Sequence, residues 1–212
     1  MKTTEKSNWQ TCETRVFWGE IAPTDHVVQI YENDEAFLNL LEGFVNTGLE
    51  ANESVLLIAT PTHLSALENR LKDLGHDIPQ LCNNNQLLLL DAEETLSKFM
   101  VNGWPNSRLF DQTVSEIIKR ASNDGRHVRV FGEMVALLAA KGQDAATVHL
   151  ENLWNRFCNT QSFCLLCAYP KAGFTQDIHS SLESICCAHS KMISGEHQSK
   201  TKVFYKMVDQ KA

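Results

Sequence analysis

The sequence predicts an α/β fold of three layers, in which a mostly parallel central sheet lies between helices on both faces. Three observations lead to this prediction. Short apolar runs alternate along the chain with longer segments of helical periodicity. Continuous apolar strands are typical of sheets covered on both faces, and their alternation with amphipathic helices is typical of parallel sheets. The chain has 212 residues, 43% of them hydrophobic and 21% charged, which is enough for one such domain.

Five apolar runs are predicted to form the central sheet, and the segments between them to form helices. The predicted strands are His26–Tyr31, Ser54–Ala59, Gln86–Leu90, His127–Phe131 and Phe163–Ala168. The predicted helices cover residues 33–49, 61–74, 91–100, 107–121, 133–141, 145–159 and 175–193. Lys202–Met207 is a candidate for a last strand at the edge of the sheet.

Polar residues and glycines mark the ends of the first three predicted helices. Asn33, Thr60 and Asp91 stand where an N-cap side chain accepts a hydrogen bond from the first helical turn. Gly48 and Gly75 are placed to end the first two helices. These signals predict the boundaries between strands and helices in the amino-terminal half of the chain.

Charge and cysteine content restrict the function classes. Aspartate and glutamate number 26 against 19 lysines and arginines, and this net charge of −7 disfavours binding to nucleic acid. The first residues contain no apolar signal-peptide segment, and no apolar run is long enough to cross a membrane. The seven cysteines are an odd number without a disulfide spacing. We therefore expect a cytoplasmic protein with reduced thiols that binds neither nucleic acid nor membranes.

Parallel α/β sheets bind ligands beyond the carboxyl ends of their strands. The residues at or just past the predicted strand ends are Tyr31, Glu32, Thr60, Asp91, Gly132, Glu133 and Tyr169. The turn after the first strand, YENDEAF, has no glycine and carries three acidic residues. It therefore lacks the backbone cradle and the lysine of a phosphate-binding loop. We expect no catalytic residues, no cofactor and no ATPase activity.

Cysteine and histidine side chains raise the question of a metal site. The cysteines of residues 164–167 (CLLC) stand three apart on a predicted strand, where they point to opposite faces, so both are interpreted as core thiols. Residues 186–189 (CCAH) lie on a predicted helix, and a metal there would need further ligands, such as His26 or Glu133. Because nothing local supplies those ligands, the sequence predicts no metal site.

Arg129 interrupts an apolar strand that helices are predicted to cover on both faces. A buried guanidinium needs a carboxylate or an anionic ligand. The first candidate partner is Glu133, just past the strand end, and the second is Glu151, one helix later. Arg129 is thus either half of a structural ion pair or a charge that faces a ligand. A structural role in the core is likewise the alternative for His26 and Trp154.

In combination, several segments resemble the MEDS domain, the sensory domain of methanogens, methylotrophs and the dichloromethane-responsive regulator DcmR. They occur in the order of that family between His26 and Glu196: HVVQIY, NTGLEANESVLLIAT, QLLLLDAEETLSKFMVNGWPN, VRVFGEM, LENLWNRF, FCLLCAYP and ICCAHSKMISGE. The resemblance implies a RecA/KaiC-like core with a degenerate P-loop. It also implies an N-terminal arm (1–25), a MEDS-like sensory domain (26–198) and a C-terminal tail or edge strand (199–212).

The resemblance further implies a non-enzymatic sensory role, with simple hydrocarbon derivatives as the class of small-molecule ligand. The candidate ligand-binding residues are His26, Tyr31, Arg129, Glu133, Glu151, Trp154, Tyr169 and His189. The aromatic members would contact the apolar part of the ligand, and the charged members would orient its polar group. We expect no kinase or DNA-binding domain in this chain, whose sequence runs to Ala212. The expected partner is therefore a signalling protein such as a histidine kinase or a transcription regulator, and homo-oligomer formation is left open.

Two other functions stay open on the sequence alone. One is a protein-interaction or sequestering regulator whose pocket is vestigial, and the other is a residual nucleotide-binding domain or enzyme. Stabilisation of the folded state by a ligand would separate a sensor from a sequestering protein, because only a ligand that binds the native state raises its stability.

Overall fold

The computed structural model describes residues 9–13, 18, 21–173, 185, 188–194 and 202–206. The strands are β1 (Trp9–Glu13), β2 (His26–Tyr31), β3 (Ser54–Ala59), β4 (Leu87–Asp91), β5 (Met100–Val101), β6 (Trp104–Pro105), β7 (Val128–Gly132), β8 (Phe163–Pro170), β9 (Lys191–Ser194) and β10 (Lys202–Lys206). The helices are α1 (Asp34–Glu50), α2 (Pro61–Asp73), α3 (Ile78–Asn83), α4 (Ala92–Ser97), α5 (Ser107–Ala121), α6 (Met134–Ala140) and α7 (Asp144–Cys158).

The main sheet has the strand order β1-β10-β9-β2-β8-β7-β3-β4. The six strands from β9 to β4 run parallel to one another, whereas β10 pairs antiparallel with both β9 and β1. A separate two-stranded hairpin joins β5 to β6. The predicted fold class, an α/β fold with a mostly parallel central sheet, is confirmed.

Helices cover both faces of this sheet and form two hydrophobic cores. On one face, α1, α2 and α3 pack on the sheet through residues such as Phe37, Phe44 and Leu71. On the other face, α4 to α7 pack on it through residues such as Phe110 and Trp154. The central strands β3 and β7 are buried along their whole length, which explains their continuous apolar sequences.

The predicted helix starts agree with the caps in the structure. The Asn33 side chain accepts from the first turn of α1, the Thr60 hydroxyl from the first turn of α2, and the Asp91 carboxylate from the first turn of α4. Gly75 follows α2 with φ +91°, a backbone conformation that favours glycine. Gly48 is different, because α1 continues past it to Glu50.

The sequence prediction is wrong at the carboxyl-terminal end of the chain. Ile185 and Ala188 are helical, but Lys191–Ser194 form β9 rather than the end of a helix. The open edge of β2 provides hydrogen-bonding groups that a parallel strand satisfies, and this outweighs the local helical pattern. Lys202–Lys206 is a strand, but β1 pairs with its other side, so it does not lie at the edge. Cys186 and Cys187 lie outside the described residues.

Candidate functional site

The eight candidate residues fall into three separate groups. Tyr31 and Glu133 lie at or just past the carboxyl ends of β2 and β7, on the face covered by α1 to α3. The second group lies between α7 and the opposite face of the sheet and consists of His26, Glu151, Trp154, Tyr169 and His189. Arg129 forms the third group, near the amino end of β7. The structure therefore does not bring the eight residues into one pocket.

Glu133 lies where β7 ends and α6 begins. Its backbone N–H donates to the carbonyl oxygen of Ile58 at 2.9 Å, which fixes it beside the end of β3. Its Oε2 accepts from the backbone N–H of Thr60 at 2.7 Å, and its Oε1 lies 2.7 Å from His63 Nδ1. The side chains of Glu133 and His63 are 10% and 15% exposed. Both carboxylate oxygens are thus engaged at the solvent boundary, where strand-end ligands bind.

Aromatic rings pack beside the imidazole of this pair. Phe37 stacks on Tyr31 with ring centroids 4.9 Å apart, and its ring lies 4.7 Å from that of His63. His63 occupies the first turn of α2, where its backbone N–H donates to the Thr60 hydroxyl at 3.5 Å. We call Glu133, His63, Tyr31 and Phe37 the Glu133 site. It combines an apolar aromatic wall with a carboxylate–imidazole pair.

Electrostatics set the protonation of the Glu133 site. The hydrogen bond to Glu133 raises the pKa of His63, and burial opposes this effect. Burial, and then the negative charges of Glu133 and Asp34, raise the pKa of Tyr31 to about 12. Tyr31 therefore keeps its proton at neutral pH, while His63 is protonated to a higher pH than a free imidazole. Since Glu133 engages Nδ1, the His63 nitrogen left for other partners is Nε2, which has none among the described residues.

The turn between β2 and α1 is acidic. Asn33 caps α1, and Glu32 forms an ion pair with Lys171. Asp34 and Glu35 are exposed in the first helical turn. These carboxylates stand where a phosphate-binding loop would present backbone N–H groups to an anion, so they would repel a phosphate.

Arg129 pairs with a carboxylate that the sequence prediction did not name. Its Nε donates to Glu53 Oε2, and its Nη1 donates to the carbonyl oxygen of Phe44 at 3.3 Å. The predicted pairing with Glu133 or Glu151 is wrong. Glu53 directly precedes β3, the parallel neighbour of β7, so the strand order brings these side chains together. Gly48 gives the guanidinium space, because a Cβ there would lie 2.9 Å from Arg129 Cδ.

A buried polar cluster lies between α7 and the sheet. We call it the Glu151 cluster, and it consists of His26, Glu151, Cys167, Tyr169 and His189, each at most 2% exposed. Glu151 Oε2 lies 3.4 Å from His26 Nε2, 3.5 Å from His189 Nε2 and 3.8 Å from Cys167 Sγ. The Tyr169 hydroxyl donates to Glu151 Oε1. The two imidazole rings are 3.9 Å apart between centroids.

The Glu151 cluster is electrostatically unusual because it buries a carboxylate without a lysine or arginine partner among the described residues. Burial raises the pKa of Glu151, while the nearby His189 and the hydrogen bonds from Tyr169 and Cys167 oppose the rise. Burial also raises the pKa of the Cys167 thiol well above its ordinary value, and Glu151 adds to this. A cation bound in the cluster would stabilise the Glu151 carboxylate and a Cys167 thiolate.

The sequence matches the model of one protein family over residues 25–190, which is most of the chain. That family is MEDS, the MEthanogen/methylotroph, DcmR Sensory domain. The chain belongs to the MEDS family. Its membership supports a sensory or signalling role and confirms the resemblance that the sequence motifs indicate.

Solved structures with similar folds support the same core architecture for this MEDS domain. A KaiC-like protein from the archaeon Pyrococcus horikoshii OT3 aligns with a TM-score of 0.58 at 11% identity, covering 89% of this chain and 82% of that protein. The protein PH0250 from the same organism aligns with a TM-score of 0.54 at 13% identity, covering 87% of each chain. These likenesses show a RecA/KaiC-like fold. A search of curated proteins finds no match.

Three residues of the MEDS chain, Phe37, His63 and Cys167, contribute to these sites although the sequence analysis does not name them as candidates. His63 lies in a first helical turn among exposed neighbours, where no periodic pattern marks it. The sequence predicts Cys167 as a core thiol that points away from Cys164, and this is confirmed, since the two pack in different cores. Trp154 is fully buried against Phe110 and Phe163.

Within the described residues, no helix is both long and apolar enough to span a membrane.

Proposed function

We propose that this MEDS domain is a non-enzymatic sensor that binds a small, weakly polar molecule at the Glu133 site and signals to a protein partner. The observation that carries the proposal is the pairing of Glu133 with His63 at the carboxyl ends of β3 and β7. Strand ends at this edge are where parallel α/β sheets bind ligands. The Phe37 and Tyr31 rings beside the pair supply apolar contact.

The pair also suggests which polar group the ligand carries. A protonated His63, with Nδ1 engaged by Glu133, presents Nε2–H as a hydrogen-bond donor. The complementary ligand carries one acceptor, such as the oxygen of an alcohol, ketone or carboxylate, on a short hydrocarbon body. This fits the simple hydrocarbon derivatives that the family resemblance implies.

Two features support binding without catalysis. Both Glu133 oxygens are already engaged, by the Thr60 N–H and by His63, so the carboxylate is poorly placed to act as a general base. The acidic turn between β2 and α1 disfavours ATP. In this proposal the signal leaves through a partner such as a histidine kinase or a transcription regulator, whose contact surface would respond to occupancy of the site.

The proposal is tested by thermal unfolding in the presence of small alcohols, ketones, carboxylic acids and halocarbons. We expect at least one class to raise Tm, because a ligand at 100 times its Kd stabilises the native state by about 2.7 kcal/mol. His63→Gln should abolish that rise. The matched control is His127→Gln, an exposed histidine at the opposite end of β7, which should keep it.

Three results would contradict the proposal. An equal rise in Tm for His63→Gln would place the ligand elsewhere. Stabilisation by ATP and magnesium alone would favour a nucleotide-binding domain. A chain that responds to no ligand yet binds a signalling protein tightly would favour a sequestering regulator.

A further inference from the structure

The Glu151 cluster has the geometry of a four-ligand metal site. One ligand atom each from His26, Glu151, Cys167 and His189 lies within 4.8 Å of all the others. The measured separations are 3.4 Å, 3.5 Å and 3.8 Å from Glu151 Oε2, and 3.5 Å from His26 Nε2 to Cys167 Sγ. Bonds of about 2.0–2.3 Å to a tetrahedral metal place its ligand atoms about 3.3–3.7 Å apart. The four measured separations are therefore close to this spacing, and the other two do not exceed 4.8 Å.

The contacts around the ligands orient them as a metal site requires. His26 Nδ1 lies 3.2 Å from the carbonyl oxygen of Ala188, and His189 Nδ1 lies 2.6 Å from that of Ile185. A carbonyl oxygen can only accept, so each Nδ1 carries a proton, and in the neutral imidazole each Nε2 then presents a lone pair to the cluster. Metal-bound histidines typically show this arrangement.

Glu151 is oriented in the same way as the two histidines. Its Oε1 accepts from the Tyr169 hydroxyl, which leaves Oε2 facing both imidazoles and the thiol. Hydrogen bonds of this kind to a ligating carboxylate are a regular feature of metal centres. Tyr169 is thus a positioning residue for the cluster.

Charge and ligand type select the metal. A thiolate at Cys167 and a carboxylate at Glu151 together carry two negative charges, which a divalent cation neutralises inside the protein. Sulfur and imidazole ligands exclude Mg²⁺ and Ca²⁺, which prefer oxygen, and a tetrahedral set of nitrogen, sulfur and oxygen suits Zn²⁺.

We propose that His26 Nε2, Glu151 Oε2, Cys167 Sγ and His189 Nε2 bind one Zn²⁺ ion. On binding, a bond forms between zinc and the Cys167 sulfur, and the thiol proton is released to solvent. Four protein ligands leave no open position, so the ion is structural. It joins β2, α7 and β8 to His189, which lies just ahead of β9. The sequence did not indicate this site because its ligands are spread over four distant segments.

The first test is the zinc content of the full chain, purified with a tag that contains no histidine. We expect about one zinc per chain. Cys167→Ser and His189→Gln should each reduce the bound zinc severalfold. Cys164→Ser is the matched control, because Cys164 lies on the same strand but packs in the other core. It should retain the metal.

The second test replaces zinc by Co²⁺ in the unmutated chain after removal of the metal with a chelator. We expect the d–d bands of tetrahedral cobalt together with a thiolate-to-cobalt charge-transfer band, which Cys167→Ser abolishes. Tyr169→Phe should keep both features but weaken zinc binding about 10-fold, since it removes only an outer hydrogen bond. The cobalt spectrum of the unmutated chain does not depend on how stable any ligand variant is.

Two outcomes overturn the zinc site. The first is a chain that is isolated without metal and whose cobalt spectrum shows no thiolate band. The second is zinc retained by both Cys167→Ser and His189→Gln, which would mean an adventitious ion only. Neither outcome bears on ligand binding at the Glu133 site, which lies on the other face of the sheet.

Discussion

The two faces of the sheet carry buried carboxylates in contrasting environments. On the face covered by α1 to α3, Glu133 meets the Thr60 N–H and His63 at the strand ends, where its side chain is 10% exposed. On the face covered by α4 to α7, Glu151 is fully buried between its own helix α7 and the sheet, and it meets two imidazoles, a thiol and a phenol. One carboxylate is close to solvent and the other is sealed from it.

The two carboxylates suit different roles because they occupy different positions on the sheet. Glu133 follows the last residue of its strand, so a ligand can reach its neighbours from solvent. Glu151 lies in the middle of α7 and is fully buried, so its partners are groups that become enclosed when the chain folds. The first environment suits reversible binding, and the second suits a permanent ion or hydrogen-bonded network.

The largest effect on stability is expected at the fully buried carboxylate of Glu151. Glu151→Ala should lower the free energy of unfolding by about 3–5 kcal/mol, because it leaves buried polar partners unpaired and opens a cavity. Glu133→Ala should cost only about 1–2 kcal/mol, since water can reach its former partners. Urea denaturation of both variants measures the two values. An equal loss for both would mean that the two sites do not differ in burial as the structure indicates.

The next largest effect concerns Arg129, which pairs with Glu53 in the structure and not with the predicted Glu133 or Glu151. Arg129→Ala should cost about 2–3 kcal/mol through lost packing and an unpaired Glu53 that is only partly exposed. A double-mutant cycle of Arg129→Ala with Glu53→Ala should give a coupling energy of about 1–2 kcal/mol. The control cycle of Arg129→Ala with Glu133→Ala should be additive within about 0.5 kcal/mol. Strong coupling to Glu133 would contradict the structure.

The smallest effect on stability is the pH dependence of the Glu133 site. Because Glu133 raises the pKa of His63, the pair contributes stability that is fully present below the unfolded pKa of 6.5. That stability is lost as the pH rises through the raised folded value. We expect a contribution below about 1 kcal/mol at this partly exposed pair. Unfolding curves between acidic and mildly alkaline pH should show it, and His63→Gln should remove it, whereas the exposed control His127→Gln should not.

Much of the fold could be predicted because apolar runs and caps are local signals. Strands such as Ser54–Ala59 and the N-caps at Asn33 and Thr60 depend on neighbouring residues only. The strand order depends on contacts between distant segments, and it places Arg129 next to Glu53. The sequence likewise predicts helix at β9, because the strand conformation there depends on pairing with the distant edge of β2.

The sites were harder to predict than the fold, because their residues converge from distant segments. Tyr31 and Glu133 could be named from their positions at strand ends alone. His63 could not, because the sequence does not show that the first turn of α2 faces the end of β7. Cys167 carries no local sign that distinguishes it from Cys164, since both are buried thiols on one strand.

The most direct test of the proposed sensor is to observe the histidine side chains during ligand binding. Long-range ¹H–¹⁵N spectra, assigned by single histidine-to-glutamine variants, report the ring nitrogens of His63, His26 and His189 separately. With a molecule that raises Tm, we expect the His63 resonances to shift in proportion to occupancy, while those of His26 and His189 stay unchanged. Shifts at His26 and His189 with an unchanged His63 would contradict the proposal and place the ligand at the Glu151 cluster.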